Sequence, residues 1–175
     1  MKILITGATG LVGSVLVKKA LDSGHNIHYL TTRKGKLTES SHTKGFYWNP
    51  KTKEIDLSCF EGVDLIVHLA GASISQRWSA KNKKEILDSR VEGTQLLVSG
   101  LARCKEIHQV KQVVAASAIG IYPSSFTTCY TEDYKPQANS FLEEVVMAWE
   151  KEEDEFSSLG VGDTIIDPEF DELSP

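Results

Sequence analysis

Three glycines at a spacing of three residues follow the first apolar segment of the chain, in the sequence MKILITGATGLVG. The preceding residues, Lys2–Thr6, form a short β-branched run that is typical of a buried parallel strand, and apolar residues at helical spacing follow over 11–21. The glycines therefore lie in a strand-to-helix turn. Gly7 permits the sharp reversal, Gly10 leaves room for a pyrophosphate, and Gly13 lets helix and strand approach closely.

This turn has the context that a dinucleotide-binding motif requires, with a strand before it and a helix after it. Free backbone amides and the helix dipole at a helix N-terminus favour the negative charge of a pyrophosphate. We therefore predict a dinucleotide site, and a glycine-rich turn without a ligand is the alternative. The residues expected to contact the dinucleotide here are those of the turn: Gly7, Thr9, Gly10, Leu11, Val12 and Gly13.

The rest of the chain alternates between strand-like and helical segments. Strands are predicted at 26–31, 45–48, 62–70, 110–116 and 161–166, and helices at 79–104 and 140–156. This alternation predicts an α/β fold with a Rossmann-type doubly wound parallel sheet. We expect one dinucleotide-binding domain over residues 1–166 and a solvated acidic tail over 167–175, where DPEFDELSP lacks a core-forming pattern.

Composition and charge argue against several classes of partner. The 175 residues carry a formal net charge of -5, which gives no electrostatic reason to expect nucleic acid or an anionic membrane. The sequence contains neither an apolar run of membrane-spanning length nor a recognisable targeting segment, so a cytoplasmic location is expected. Cys59, Cys104 and Cys129 lack CxxC spacing, which favours reduced cysteines over a disulfide framework or a metal site.

The end of the second predicted strand bears on the choice of dinucleotide. In such folds an Asp or Glu at this position binds the ribose hydroxyls of NAD, whereas an Arg accommodates the 2′-phosphate of NADP. This chain has Thr31, Thr32 and Arg33 there. NADP(H) is therefore favoured, with NAD(H) as the second choice, and an ordinary solvated charge is the alternative interpretation of Arg33.

Five groups of residues occur in a characteristic order: GATGLVG, EGVDLIVHLAGASI, RWSAKNKKEILDSRVEGTQLL, SAIGIYP, and Phe141 with Trp149 and Glu150. Together they resemble the epimerase-family branch of the short-chain dehydrogenase/reductase superfamily, over about residues 1–161. Members of this branch look like NAD-dependent epimerases or dehydratases of the extended type, often described as nucleoside-diphosphate-sugar epimerases. The resemblance implies a nucleotide-sugar or other carbonyl substrate, and a homodimer is a common arrangement in the superfamily.

The resemblance also implies cofactor contacts, by motif position. These residues follow the second and fourth predicted strands or lie on the long helix: Thr32, Arg33, Leu69, Ala70, Gly71, Glu85 and Arg90. The residues themselves also fit plainer interpretations. Glu85 and Arg90 suit a solvated helix face, Gly71 suits a strand end, and His68 suits a hydrogen-bonded core histidine.

The catalytic positions depart from the superfamily pattern. Its enzymes usually pair a serine after the fifth strand with YxxxK on the next helix, where the tyrosine transfers protons and the lysine lowers its pKa. Ser117 stands at the serine position and is predicted to be catalytic and to contact the cofactor, but the helix carries Phe141 and Val145 instead of the tyrosine and lysine. Tyr122 is the second catalytic candidate. Ser117 could instead bond a nearby backbone group, and Tyr122 could be a packing tyrosine with a bonded hydroxyl. Glu150 could face the site, and a carboxylate on the helix surface is the alternative.

Two functional hypotheses follow from the sequence. The first is an NADP(H)-binding protein of the extended short-chain dehydrogenase type, with epimerase or oxidoreductase activity. The second is a non-catalytic or truncated NADP(H)-binding module, because the usual Tyr/Lys pair is absent and extended family members continue into a C-terminal substrate domain. That substrate domain is expected to be missing here.

Overall fold

The computed structural model describes residues 1–105, 108–131 and 133–166. The strands within these ranges are β1 (Lys2–Thr6), β2 (Asn26–Thr31), β3 (Thr43–Asn49), β4 (Glu54–Ile55), β5 (Leu65–His68), β6 (Gln112–Ala116) and β7 (Gly162–Ile166). The α-helices are α1 (Leu11–Asp22), α2 (Ala80–Arg103) and α3 (Phe141–Glu153). Short 3-10 turns connect several of these elements.

The strands form one sheet in the order β4-β3-β2-β1-β5-β6-β7. All neighbouring strands are parallel except β3 and β4, which are antiparallel. The chain runs outward from β1 through β2 and β3 and then returns to β5 on the other side of β1. The strand order therefore reverses between β1 and β5, and the predicted doubly wound sheet is confirmed.

Alternate residues of β1 pack on opposite faces of the sheet. Ile3 and Ile5 belong to a buried cluster that includes Ala20 of α1. Leu4, between them, belongs to a larger cluster on the other face that includes Leu97 of α2. Helices thus cover both faces of the central strands, which explains why β1 carries apolar side chains on both of its faces.

The helix ends follow local capping chemistry. The side chain of Ser79 accepts a hydrogen bond from the backbone N–H of Asn82 at the start of α2, as its predicted cap position requires. Ser140 caps α3 in the same way. The helix predicted at 140–156 is shorter than expected, because the α-helix ends at Glu153 and Asp154–Leu159 form a 3-10 turn.

Other predictions meet the structure at different levels of detail. The strand predicted at 45–48 extends over Thr43–Asn49, and the two-residue strand β4 was not predicted. The predicted acidic tail at 167–175 lies outside the described residues, so the domain boundary stays a prediction. In the described part of the chain, no helix is long and apolar enough to cross a membrane, and no group of three or more His, Cys, Asp or Glu could hold a metal ion.

Glu153, the last residue of α3, is a buried carboxyl group. Its side chain is fully buried, and neither carboxyl oxygen has a hydrogen-bond partner among the described residues. Burial raises the pKa of Glu153 to about 9, and the charges of Glu150, Asp154 and Asp163 act in the same direction. The folded protein therefore holds this carboxyl in its neutral, protonated form at pH values near neutrality.

Replacing Glu153 should change how stability depends on pH. The unfolded chain ionises this carboxyl near the ordinary pKa of 4.5, so the folded state holds one more proton from there up to about pH 9. The free energy of unfolding should fall as pH rises through this window, by up to about 1.4 kcal/mol per pH unit. Glu153→Gln removes this titration. In urea unfolding, the free energy of unfolding of the variant should therefore rise relative to that of the wild type as pH increases across this window.

Glu144→Gln is the matched control for this experiment, because Glu144 lies on the exposed face of the same helix. This control measures the effect of losing one carboxyl group at an exposed position of α3, and the Glu153→Gln result is compared with it. A stability difference between Glu153→Gln and the wild type that does not change with pH would show that Glu153 is ionised in the folded protein.

Candidate functional site

A cleft of about 880 Å³ opens at the carboxyl ends of β1, β2, β3 and β5. It lies where the strand order reverses, which is the position at which doubly wound sheets bind their ligands. Its volume falls in the range of small-molecule sites. Many of the predicted cofactor residues line it: Gly7, Thr9, Gly10, Thr32, Arg33, Leu69, Ala70, Gly71 and Glu85.

The glycine turn after β1 is closely packed against the loop after β5. Gly7 has a φ of 68°, which favours glycine, and a Cβ atom there would lie 2.7 Å from the carbonyl oxygen of Leu69. A Cβ atom on Gly13 would overlap the carbonyl oxygen of Gly7. The backbone N–H of Gly10 donates to that same carbonyl at 2.9 Å. Two of the three glycines are therefore required by packing within the protein itself.

The N-terminus of α1 lies at this turn and is available to an anion. Gly10 is the N-cap residue, no side chain caps the helix, and its first turn contains no acidic residue. Leu11 is 81% exposed and Val12 is 47% exposed, whereas Gly13 is buried behind them. Uncapped amides at an exposed helix N-terminus are suited to binding a phosphate group.

A cationic rim, formed by Arg33, Lys36 and Lys51, borders the cleft beyond the ends of β2 and β3. Lys51 Nζ lies 3.7 Å from Glu85 Oε1. The Lys51 side chain is 72% exposed and that of Glu85 is 44% exposed, so solvent screens this ion pair and it contributes little stability. Lys36 and Lys51 were not predicted. Their sequence neighbourhoods contain other lysines, and only the folded arrangement of the two loops shows which ones reach the cleft.

Further lining residues also escaped the sequence interpretation. They lie at the end of β3, in the turn after it, and on α2: Trp48, Asn49, Pro50, Ser89 and Glu92. Trp48, Asn49 and Pro50 could have been predicted, because the carboxyl ends of parallel strands meet at one edge of the sheet.

A buried hydrogen-bond network lies beneath the floor of the cleft. The hydroxyl oxygen of Thr6 accepts from the backbone N–H groups of Leu69 and Ala70, each at 3.0 Å. It also lies 2.6 Å from Nδ1 of His68, whose Nε2 lies 3.1 Å from the hydroxyl of Thr94. Burial, together with the charge of Arg90, lowers the pKa of His68 to about 4. These contacts agree with the interpretation of His68 as a hydrogen-bonded core histidine.

Arg90 connects three elements and does not line the cleft. Its Nη1 donates to the carbonyl oxygens of Ala72 and Ile86, each at 3.1 Å, and its guanidinium lies 5.0 Å from the ring centroid of Trp149. Desolvation lowers the pKa of Arg90. The solvated-face interpretation is therefore wrong for Arg90, and the cofactor contact that the resemblance implies stays a prediction.

Ser117 follows β6 at the same edge of the sheet as the cleft. His68 of β5 pairs with Ala115 of β6, so Ser117, two residues further on, is level with Ala70 of the cleft floor. Ser117 is buried, and its hydroxyl donates a hydrogen bond to a carboxylate oxygen of Glu150. The interpretation of Glu150 as a surface carboxylate is therefore wrong. Ser117 is one strand away from the cleft and does not line it.

Tyr122 lies in a cluster of aromatic rings in the segment after β6. Its ring centroid is 5.9 Å from that of Tyr130 and 5.8 Å from that of Tyr134. Phe141, at the position of the usual catalytic tyrosine, packs edge-on against Trp78 at 5.4 Å. The start of α3 therefore presents an aromatic hydrocarbon surface where superfamily enzymes carry a phenol.

Comparison with known proteins identifies the family to which this chain belongs. Residues 3–142 match the NAD dependent epimerase/dehydratase family. An epimerase family protein of Staphylococcus saprophyticus is 37% identical over 159 residues, which cover 90% of this chain and 51% of the relative. The epimerase family protein YfhF of Bacillus subtilis is 31% identical over 161 residues, covering 92% and 52% respectively. The chain thus spans about half the length of these relatives.

Solved structures show the same fold. The nucleoside-diphosphate sugar epimerase of Corynebacterium glutamicum has a TM-score of 0.75 and 27% identity, over 95% of this chain and 33% of that one. The human epimerase family protein SDR39U1 (isoform 2), in a crystal structure with NADPH, has a TM-score of 0.68 and 25% identity, over 87% and 48%. The predicted family resemblance is confirmed: the chain belongs to the NAD dependent epimerase/dehydratase family.

Proposed function

We propose that this chain binds NADP(H) in the cleft and forms the nucleotide-binding part of an epimerase-family protein. The observation that carries this proposal is the presence, in one cleft, of an uncapped helix N-terminus and a rim of three cationic side chains. The helix N-terminus suits the pyrophosphate, and the cationic rim suits the additional 2′-phosphate of the adenosine ribose. When bound, the nicotinamide ring would supply hydride transfer.

The residues at the end of β2 support NADP(H) over NAD(H). Thr31, Thr32 and Arg33 provide no carboxylate for the ribose hydroxyls, and a carboxylate there would repel a 2′-phosphate. Arg33 is exposed, and no carboxylate forms a salt bridge with it in the described part of the chain. The human relative in a crystal structure with NADPH is consistent with this choice.

The substrate class that we propose is a nucleotide sugar or another carbonyl compound. The epimerase of Corynebacterium glutamicum, described as acting on nucleoside-diphosphate sugars, supports this class by its similarity to the chain. Ser117 and Tyr122 are the proposed catalytic residues. The hydroxyl of Ser117 could pass the proton of a substrate alcohol to the carboxylate of Glu150, with which it already shares a hydrogen bond.

A second candidate function is that of an NADP(H)-binding module without catalysis. Phe141 packs against Trp78, and Val145 is buried, so neither side chain can perform the proton transfer of the usual Tyr/Lys pair. Turnover measurements on the wild type separate the two candidates.

Arg33→Asp should reverse the cofactor preference. The substitution removes a guanidinium from the cationic rim and places a carboxylate where ribose hydroxyls would bind, so the Kd for NADPH should rise by about tenfold or more. The Kd for NADH should stay unchanged or fall. Isothermal titration calorimetry with both dinucleotides measures the ratio.

Lys34→Asp makes the same change of charge at the next residue and serves as the control. Lys34 does not line the cleft, and its Nζ lies 4.7 Å from the ring centroid of Tyr47. Its substitution should leave the ratio of the two affinities near that of the wild type. An equal effect of both substitutions would mean that the cofactor preference depends only on overall charge, and that Arg33 does not contact the 2′-phosphate.

Gly10→Ala should weaken both dinucleotides alike. A Cβ atom at Gly10 lies 3.2 Å from the carbonyl oxygen of Gly7, so the protein can accommodate it with a small shift, but the methyl group projects where the pyrophosphate approaches. Gly162→Ala on β7 is the control, since its nearest contact is an ordinary 3.5 Å. Unchanged affinities in calorimetric titrations of Gly10→Ala would exclude the pyrophosphate from this turn.

Ser117→Ala and Tyr122→Phe should each lower kcat by about 100-fold if the protein turns over a substrate. The assay is incubation with NADPH and a panel of nucleotide sugars and carbonyl compounds, followed by measurement of cofactor oxidation and of epimerised product. Unchanged rates would remove the residue concerned from the mechanism. A wild type that binds NADPH and remains inactive on every compound would favour the non-catalytic module.

A further inference from the structure

The backbone at the floor of the cleft is held by a side chain of the neighbouring strand. Leu69 and Ala70 line the cleft, and their N–H groups both donate to the hydroxyl oxygen of Thr6, each at 3.0 Å. Thr6 is fully buried and precedes Gly7. Because two amides occupy both lone pairs of this oxygen, the hydroxyl proton must point away from them, toward another acceptor.

The Thr94 end of this network determines which atom donates and which accepts in each of its hydrogen bonds. Thr94 donates its hydroxyl proton to the carbonyl oxygen of Arg90 at 2.9 Å. Toward Nε2 of His68, at 3.1 Å, Thr94 can therefore only accept, so Nε2 carries the ring proton. In a neutral imidazole Nδ1 is then bare, and it accepts the hydroxyl proton of Thr6 at 2.6 Å.

We propose that His68 is a positioning residue for the cleft, held as the neutral Nε2–H tautomer so that Thr6 presents both lone pairs to the amides of Leu69 and Ala70. The opposite tautomer would place a third donor on the oxygen of Thr6 and leave its hydroxyl proton without an acceptor. His68 thus connects the floor of the cleft to α2 through Thr94. Its effect on ligand affinity rests on the proposed function, whereas its effect on the backbone does not.

The position of the Leu69 backbone matters because the loop after β5 is in close contact with the glycine turn after β1. A Cβ atom on Gly7 would lie 2.7 Å from the carbonyl oxygen of Leu69, so the loops have little space between them. A shift of the Leu69 backbone would therefore displace the glycine turn as well. A site that is arranged before its ligand arrives binds more tightly than one that must order on binding.

The tautomer can be measured directly by NMR of protein with ¹⁵N-labelled histidine. Two-bond correlations between ring nitrogens and ring protons distinguish a protonated Nε2 from a protonated Nδ1. We expect His68 to show protonated Nε2 and bare Nδ1 at neutral pH. The opposite tautomer, or a doubly protonated ring, would overturn the proposal.

Variants at Thr94 test the connection without touching the cleft. Thr94→Val removes the hydroxyl that accepts from His68, so amide hydrogen exchange at Leu69 and Ala70 should accelerate by about tenfold, and the Kd for NADPH should rise by a similar factor. Thr94→Ser keeps the hydroxyl and should restore both values. If Thr94→Ser does not restore them, Thr94 acts through side-chain packing and not through its hydroxyl group.

A second buried histidine provides the matched control. His28 on β2 is 8% exposed, and its Nδ1 lies 2.8 Å from the carbonyl oxygen of Cys59, outside the cleft lining. His28→Asn and His68→Asn should both lower the melting temperature. Only His68→Asn should accelerate exchange at Leu69 and Ala70.

These measurements distinguish a failure of nucleotide binding from a failure of His68 to position the backbone. A wild type that does not bind NADPH would contradict the proposed function, while the tautomer and the exchange rates would still decide the role of His68. Equal exchange at Leu69 and Ala70 in the wild type, Thr94→Val and His68→Asn would overturn the positioning role even if NADPH binds.

Discussion

The close approach of the glycine turn to the loop after β5 is the contact on which the rest of the site depends. Gly7 has a φ of 68° and leaves no room for a side chain beside the carbonyl oxygen of Leu69. The hydroxyl oxygen of Thr6, the residue before Gly7, accepts hydrogen bonds from the amides of Leu69 and Ala70. Because β1 and β5 are neighbours at the point where strand order reverses, this contact brings the N-terminus of α1 and the cleft floor together.

The contacts extend from this point across the α2 side of the sheet. His68 connects the cleft floor to Thr94, and Arg90, one turn earlier on α2, binds the carbonyl oxygen of Ala72 in the loop after β5. The guanidinium of Arg90 also lies over the ring of Trp149 on α3. The next residue, Glu150, accepts from Ser117. A chain of direct contacts therefore runs from the candidate nucleotide cleft to the candidate catalytic serine.

How much the sequence could predict depended on whether a feature is local. The glycine turn and the cap at Ser79 were predictable because spacing and capping act within a few residues. The positions of Lys36 and Lys51 in the cleft, and the contact between Ser117 and Glu150, depend on how distant segments pack, which spacing alone does not report. β4 escaped prediction since two residues are too few to show a period. The solvated-face pattern of α2 was misleading for Arg90, because the long side chain reaches under the loop after β5.

The proposed dinucleotide would place its phosphates in the cleft at the carboxyl ends of β1, β2, β3 and β5. NMR titration of ¹⁵N-labelled protein with NADPH locates the bound dinucleotide, because the chemical shift of each backbone amide depends on its own surroundings. We expect the largest shifts at the amides of residues 10–13, 32–33 and 69–71, with little change on β7. Saturating NADPH that leaves the amides of residues 10–13 and 69–71 unshifted would contradict phosphate binding in this cleft.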